Sequence, residues 1–217
     1  MRQRKFAVCC AAILALAAVS NSRAAEQIKY ENNFEKAELE KVPDEFLVLD
    51  GQFAVKEEGG NKFLELPGAP LDSYGVLFGP SFKDDCSVSA RFYGTAKGRR
   101  YPTFAVGLNG VGGYKLRVSP GKKQLEIYKA DNVKQAVPLE WHPGKWAHLK
   151  LSLVKAGEKE WQVNGKIWEE GEKEPEKASI SFVDHEAPPS GRPLVSASPY
   201  SNTQIRFDDF VVSAITK

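Results

Sequence analysis

The sequence predicts an all-β chain folded as a two-sheet antiparallel β-sandwich. Three observations predict it. Apolar residues recur at every second position in short runs, the period of a strand with one buried face. Clusters of glycine, proline and asparagine close those runs at hairpin spacing. No window holds a 3.6-residue apolar period over three turns, and the nearest, Phe34 to Leu39, is too short for a helix.

The strands follow in order. Val88, Ala90 and Phe92 point one way and Ser89, Arg91 and Tyr93 the other. Phe104, Val106 and Leu108 alternate with Thr103, Ala105 and Gly107. Asn109-Gly110 and Gly112-Gly113 then turn the chain back. Tyr114, Leu116 and Val118 alternate with Lys115 and Arg117, and Pro120-Gly121 makes the next turn. Leu125 and Ile127 alternate with Glu126 and Tyr128. Leu149, Leu151 and Leu153 form an inward face, with Trp146 expected in the core at the start of that run. Val163-Asn164-Gly165 reads as a hairpin turn flanked by Trp161 and Trp168. The last strand points Ile205, Phe207, Phe210 and Val212 inward, and its consecutive carboxylates Asp208-Asp209 break the alternation as a bulge does. The charged stretch Glu169 to Lys177 and the proline-rich stretch Glu186 to Pro193 read as solvated loops.

Charge and the N-terminus narrow the setting. The 217 residues hold 30 Lys and Arg against 28 Asp and Glu. Four of the basic residues lie in the first 24 positions, so the remainder carries about −2. That balance gives no electrostatic footprint for nucleic acid. Residues 1–24 read as a secretory signal: Arg2, Arg4 and Lys5, then an apolar stretch from Phe6 to Val19, then Ser22-Arg23-Ala24 with small residues at the cleavage positions. The apolar stretch is shorter than a membrane span of roughly 20 residues. The expectation is an exported protein, periplasmic or extracellular, with one domain over residues 25–217. Cleavage removes Cys9 and Cys10 and leaves Cys86 alone, a small apolar residue on a strand with no disulfide partner.

Several local patterns together resemble one superfamily. They are Asn33-Phe34-Glu35 with Gly51-Gln52-Phe53-Ala54-Val55, Gly113-Tyr114-Lys115-Leu116, Gly144-Lys145-Trp146 with Leu149, Val163-Asn164-Gly165, and Ser198-Pro199-Tyr200-Ser201 followed by Phe207-Asp208-Asp209. In order and spacing they resemble concanavalin A-like, or laminin G-like, domains of exported bacterial proteins, related to 3-keto-disaccharide hydrolase-like domains. The resemblance implies a concanavalin A-like jelly roll with a concave sheet. Its members include lectins, laminin G-type binding modules and glucanases, so fold alone selects no activity. It also implies a calcium shared by the last strand's Asp208 or Asp209 with Asn33 or Glu35. An aspartate that hydrogen-bonds the neighbouring N-terminal segment is the simpler alternative.

Catalytic signatures are missing. The Glu-x-Asp-x-x-Glu run of laminarinase-type glucanases, which alternation would place on one face, has its nearest match at Glu126 to Asp131, where Tyr128 replaces the middle carboxylate. There is no Gly-x-Ser-x-Gly elbow, no glycine-rich phosphate loop and no histidine spacing for a transition metal. Asp184-His185-Glu186 is the one local acid–base cluster, on an expected loop. No catalytic residue is assigned.

A binding face reads more clearly. If the first four strands above adjoin, Arg91, Tyr93, Lys115, Arg117, Glu126 and Tyr128 share one outward surface. Sugar C–H faces stack on aromatic rings while hydroxyls need fixed donors and acceptors. Tyr93 and Tyr128 are the expected stacking rings, and Arg91, Lys115, Arg117 and Glu126 the hydroxyl or anion partners. Lys97-Gly98-Arg99-Arg100-Tyr101 adds cations at a rim. An ordinary polar sheet face remains open beside this reading. The partner expected is a carbohydrate, up to a polysaccharide. A glycoside hydrolase or 3-keto-glycoside hydrolase with acids from separate strands, and a laminin G-like protein-binding module, stay as alternatives. The sequence leaves the oligomeric state open.

Overall fold

A computed structural model describes residues 25–70, 72–199 and 203–216. The secretory signal expected over residues 1–24, and Tyr200-Ser201 of the closing pattern, lie outside the described residues.

The described chain forms β1 (Ala25–Asn32), β2 (Leu47–Asp50), β3 (Ala54–Glu58), β4 (Asn61–Leu66), β5 (Tyr74–Leu77), β6 (Cys86–Gly94), β7 (Thr103–Leu108) and β8 (Tyr114–Ser119). A single 3-10 turn over Pro120–Lys122 follows, where Pro120-Gly121 predicted a reversal. The remaining strands are β9 (Gln124–Lys129), β10 (Asn132–Pro138), β11 (Trp146–Gly157), β12 (Glu160–Glu169), β13 (Ile180–Asp184), β14 (Leu194–Ser198) and β15 (Ile205–Thr216). They build two antiparallel sheets. One has the order β13-β12-β11-β6-β15-β4-β3, with β1 also on β15; the other has the order β10-β9-β8-β7-β14-β5-β2.

The alternation read from sequence becomes the core. Val88, Phe92, Leu149, Leu151, Leu153, Phe207 and Val212 of the first sheet are fully buried, as are Val106, Leu116, Val118, Leu125, Ile127 and Val195 of the second. Phe92 stacks on Phe104 across the two sheets at 5.2 Å between ring centroids. The bulge predicted at Asp208-Asp209 is present: the β15–β6 register shifts between Asp208 and Val211, and Asp209 takes a positive φ of 50°. The bend lets β15 pair β4 through Ile205–Phe207 and β1 through its C-terminal half.

Two expectations are corrected. Asn164-Gly165 is not a turn. Both residues lie inside β12, and the β11–β12 hairpin turns at Glu158-Lys159. Gly165 is small for a packing reason: a Cβ there would stand 2.4 Å from Leu116 Cδ1 of the opposite sheet and 2.8 Å from Ile180 Cγ2. Trp146 is not in the sandwich core. Register pairs it with Tyr93 and sets it on the outer face with His148, because Ala147 and Leu149 take the inward positions.

Candidate functional site

The outer face of the seven-stranded sheet carries a hollow of about 560 Å³. Its shape follows from side-chain size along one register row. Arg117 on β8 stands opposite Ala105 on β7, Ala105 opposite Ser196 on β14, and Ser196 opposite Gly75 on β5. Three small residues side by side leave a channel between taller neighbours. A Cβ on Gly75 would sit 3.3 Å from the Val195 carbonyl and 3.5 Å from Ser196 Cβ, so glycine keeps the floor low there. Leu194 completes the floor, Thr103 and Ser198 line it at one place, and Leu49 and Val111 present exposed apolar surface to it.

The polar wall comes from β8 and β9. Lys115 stands opposite Tyr128, and Arg117 opposite Glu126. Glu126 is only 1% exposed although it points outward, because its neighbours cover it. Its Oε2 accepts hydrogen bonds from Arg117 Nε at 3.1 Å, Arg117 NH2 at 2.9 Å and Tyr128 Oη at 3.2 Å, and its Oε1 accepts from Lys122 Nζ at 3.0 Å. Burial alone would raise its pKa. The bonds from Lys122 and Arg117, with their charges, outweigh burial and hold the carboxyl below its ordinary value. The Arg117 guanidinium lies 4.1 Å over the Tyr128 ring and donates to the Tyr128 hydroxyl. Tyr128 is therefore a covered ring and not an open stacking platform.

Lys115 differs from this closed group. Its ammonium reaches only the Ala130 carbonyl, at 3.5 Å, and no carboxylate pairs with it among the described residues. Burial lowers its pKa, Arg117 pushes the same way, and Asp131 opposes. Asp131 lines the hollow beside Ala130.

Arg91 and Tyr93 lie elsewhere. The expectation that their strand adjoins the next three is corrected: β6 belongs to the eight-stranded sheet, while β7, β8 and β9 belong to the other. Arg91 binds Asp208 at 2.6 Å and Asn61 at 2.9 Å and lies 4.6 Å over Trp146. Tyr93 contacts Trp146 at 5.6 Å, with Arg206 over its ring at 5.2 Å. Asp208 is 1% exposed; its Oδ2 accepts from Arg91 and Asn61 and its Oδ1 from the Asp209 amide. A guanidinium and an amide thus occupy the carboxylate that the resemblance offered to calcium, so Asp208 does not fit that ion. Asn33, Glu35 and Asp209 do line a second hollow, of about 740 Å³. There the Glu35 carboxylate accepts from the Lys62 amide and Asn33 from the Glu35 amide. Among the described residues no group of three or more His, Cys, Asp or Glu is placed to hold a metal.

Asp184, three of the tryptophans and Cys86 have structural roles. Asp184 accepts from Tyr114 at 2.6 Å and pairs with Lys129 at 2.8 Å, away from His185. Trp161 is buried, Trp141 packs edge-to-face on Phe104, and Trp168 stacks on His148. Cys86 is buried, and burial pushes its thiol up to about 12.

No family model matches the sequence, and no curated protein matches it. Solved structures do match. Carbohydrate-binding module CBM66 from Bacillus subtilis aligns with a TM-score of 0.55 at 12% identity, over 78% of this chain and 96% of that one. The metal-free form of lectin I-B4 from Griffonia simplicifolia gives 0.53 at 11% identity, over 84% and 98%. A Bacillus subtilis protein of unknown function with a galectin-like fold gives 0.57 at 11% identity, over 90% and 100%. The chain has the concanavalin A-like jelly-roll fold. At these identities the likeness is one of fold.

Within this jelly roll, the floor residues Gly75, Ser196 and Ser198 were missed from sequence, because their strands showed too few alternating positions. The run Thr103, Ala105, Gly107 did carry a signal: outward side chains this small leave the sheet surface low beside taller neighbours. Among the described residues no helix is long and apolar enough to cross a membrane.

Proposed function

We propose that this chain is an exported, non-catalytic carbohydrate-binding domain spanning residues 25–217, and that the outer hollow of the seven-stranded sheet takes the glycan. The observation that carries the reading is the channel over Gly75, Ser196 and Ala105, walled by Arg117 and Lys115 and bordered by Leu49 and Val111. It offers apolar surface for sugar C–H faces and fixed donors for hydroxyls, the mixed lining that small-molecule sites share. The solved structures of the same fold include a carbohydrate-binding module and a lectin. Glu126 does not read as a general acid: its four hydrogen bonds hold it ionised, where that role needs a raised pKa. Export is supported by the basic, apolar and small-residue order of residues 1–24.

A glycan array probed with the purified protein tests the reading. Binding to a defined sugar class, lost in a Ser196→Trp variant that fills the channel, is the expected result. Binding that survives Ser196→Trp would remove the site, and a blank array would remove the function.

A further inference from the structure

The cations around the hollow are unequally satisfied, and the difference names a ligand class. Arg117 and Lys122 spend their charge on Glu126. Lys115, half-buried in the wall, meets only a backbone carbonyl. Asp131 lies on the same side without forming an ion pair with it among the described residues. A second unspent set lies a few residues before Thr103 in the chain. Thr103 lines the hollow, and the loop leading into it carries Lys97, Arg99 and Arg100, all exposed. Lys97 and Arg100 exchange backbone hydrogen bonds at 3.1 Å, which holds Gly98 and Arg99 at the tip of a tight turn. Among the described residues none of these three side chains has an ion-pair partner. Residues 25–217 carry about −2 overall, so this run of unpaired positive charge is local and not a chain-wide excess.

Resting on the carbohydrate reading above, we propose that the ligand is an acidic polysaccharide, with carboxylate or sulfate groups on its sugars. Lys115 meets one anionic group inside the channel. The Lys97–Arg100 turn meets further ones on the same glycan beyond Thr103 and Ser198. A partly desolvated ammonium that forms no ion pair gains a charge-assisted bond from an anionic sugar that a neutral sugar cannot supply. The exposed turn adds long-range attraction that salt screens.

The test is affinity electrophoresis and titration of the whole protein with polygalacturonate, dextran sulfate and neutral dextran and arabinan, at low and high salt. The two acidic polymers separate carboxylate from sulfate recognition. Expected is retention by at least one acidic polymer, weakening with salt. Lys115→Met should reduce that affinity by about tenfold, the equivalent of one charge-assisted contact. A Lys97→Gln, Arg99→Gln, Arg100→Gln variant, confined to an exposed turn, should flatten the salt dependence. Equal or tighter binding of neutral glycans, or wild-type affinity in both variants, overturns the acidic ligand and leaves the carbohydrate reading standing. Retention by none of the polymers, together with a blank glycan array, overturns both.

Discussion

Arg91 places its guanidinium 2.6 Å from the Asp208 carboxylate, across the outer face of the eight-stranded sheet and beside the β15 bulge. Asp208 is almost wholly buried, and the pair is closed by the Trp146 ring over Arg91. Removing Arg91 leaves the buried Asp208 carboxylate without its charge partner, held only by the Asn61 and Asp209 amides. Arg91→Ala should therefore destabilise the protein by about 3–5 kcal/mol. Denaturant unfolding checks this. Asp208→Asn, which keeps an acceptor for Asn61, should cost less.

Acid should weaken the sandwich through carboxylates held below their ordinary values, Glu126, Asp184 and Glu174, against Asp208, which burial raises. In Asp184, as in Glu126, burial works to raise the pKa, but Lys129 and Tyr114 hydrogen bonds win and hold it below its ordinary value. A carboxyl whose folded pKa lies below its unfolded one stabilises the protein above the unfolded value, about 4. That contribution is lost as pH falls through the folded values. Unfolding midpoints should be flat near neutrality and fall below about pH 4. Asp184→Asn should show a shallower acid limb. An unchanged limb would mean that these pairs contribute nothing to folding.

The two sheets meet too closely at Gly165 for any side chain. Gly165→Ala brings a methyl against Leu116 and Ile180 and should cost about 1–3 kcal/mol by overpacking. Gly121 is the internal comparison, since a Cβ there meets nothing within 4 Å and its φ is not positive. Gly121→Ala should be neutral, or stabilise by up to about 1 kcal/mol through the unfolded chain. Thermal melts of both variants check the contrast.

The β-class and the inward faces were legible because alternation is a local property: Val88-Ala90-Phe92 and Leu149-Leu151-Leu153 state which side is buried without reference to any partner. The site was legible only by half. Lys115, Arg117, Glu126 and Tyr128 come together because hairpins join β8 and β9 directly. Arg91 and Tyr93 separate from them because the chain between β6 and β7 crosses from one sheet to the other. Alternation distinguishes inward from outward, but a sandwich has two outward faces, and nothing local tells them apart. Asn164-Gly165 misled for a related reason: turns and crowded strand interiors both select glycine.

The two outward faces give a direct way to locate binding. Ser196 sits on the channel floor between Ala105 and Gly75, so Ser196→Trp fills the hollow from below while leaving the inward neighbours Val195 and Ala197 in place. Arg117→Ala frees the Tyr128 ring and strips two hydrogen bonds from Glu126. Both should weaken glycan binding by about tenfold or more, a loss of roughly 1.4 kcal/mol. Tyr93→Leu changes the opposite sheet, where Arg206 and Trp146 cover the ring, and should leave affinity unchanged in protein shown to be folded by circular dichroism. If Tyr93→Leu weakened binding while Ser196→Trp did not, the glycan would sit on the eight-stranded sheet, against the aromatic and guanidinium ladder of Trp146, Tyr93 and Arg206.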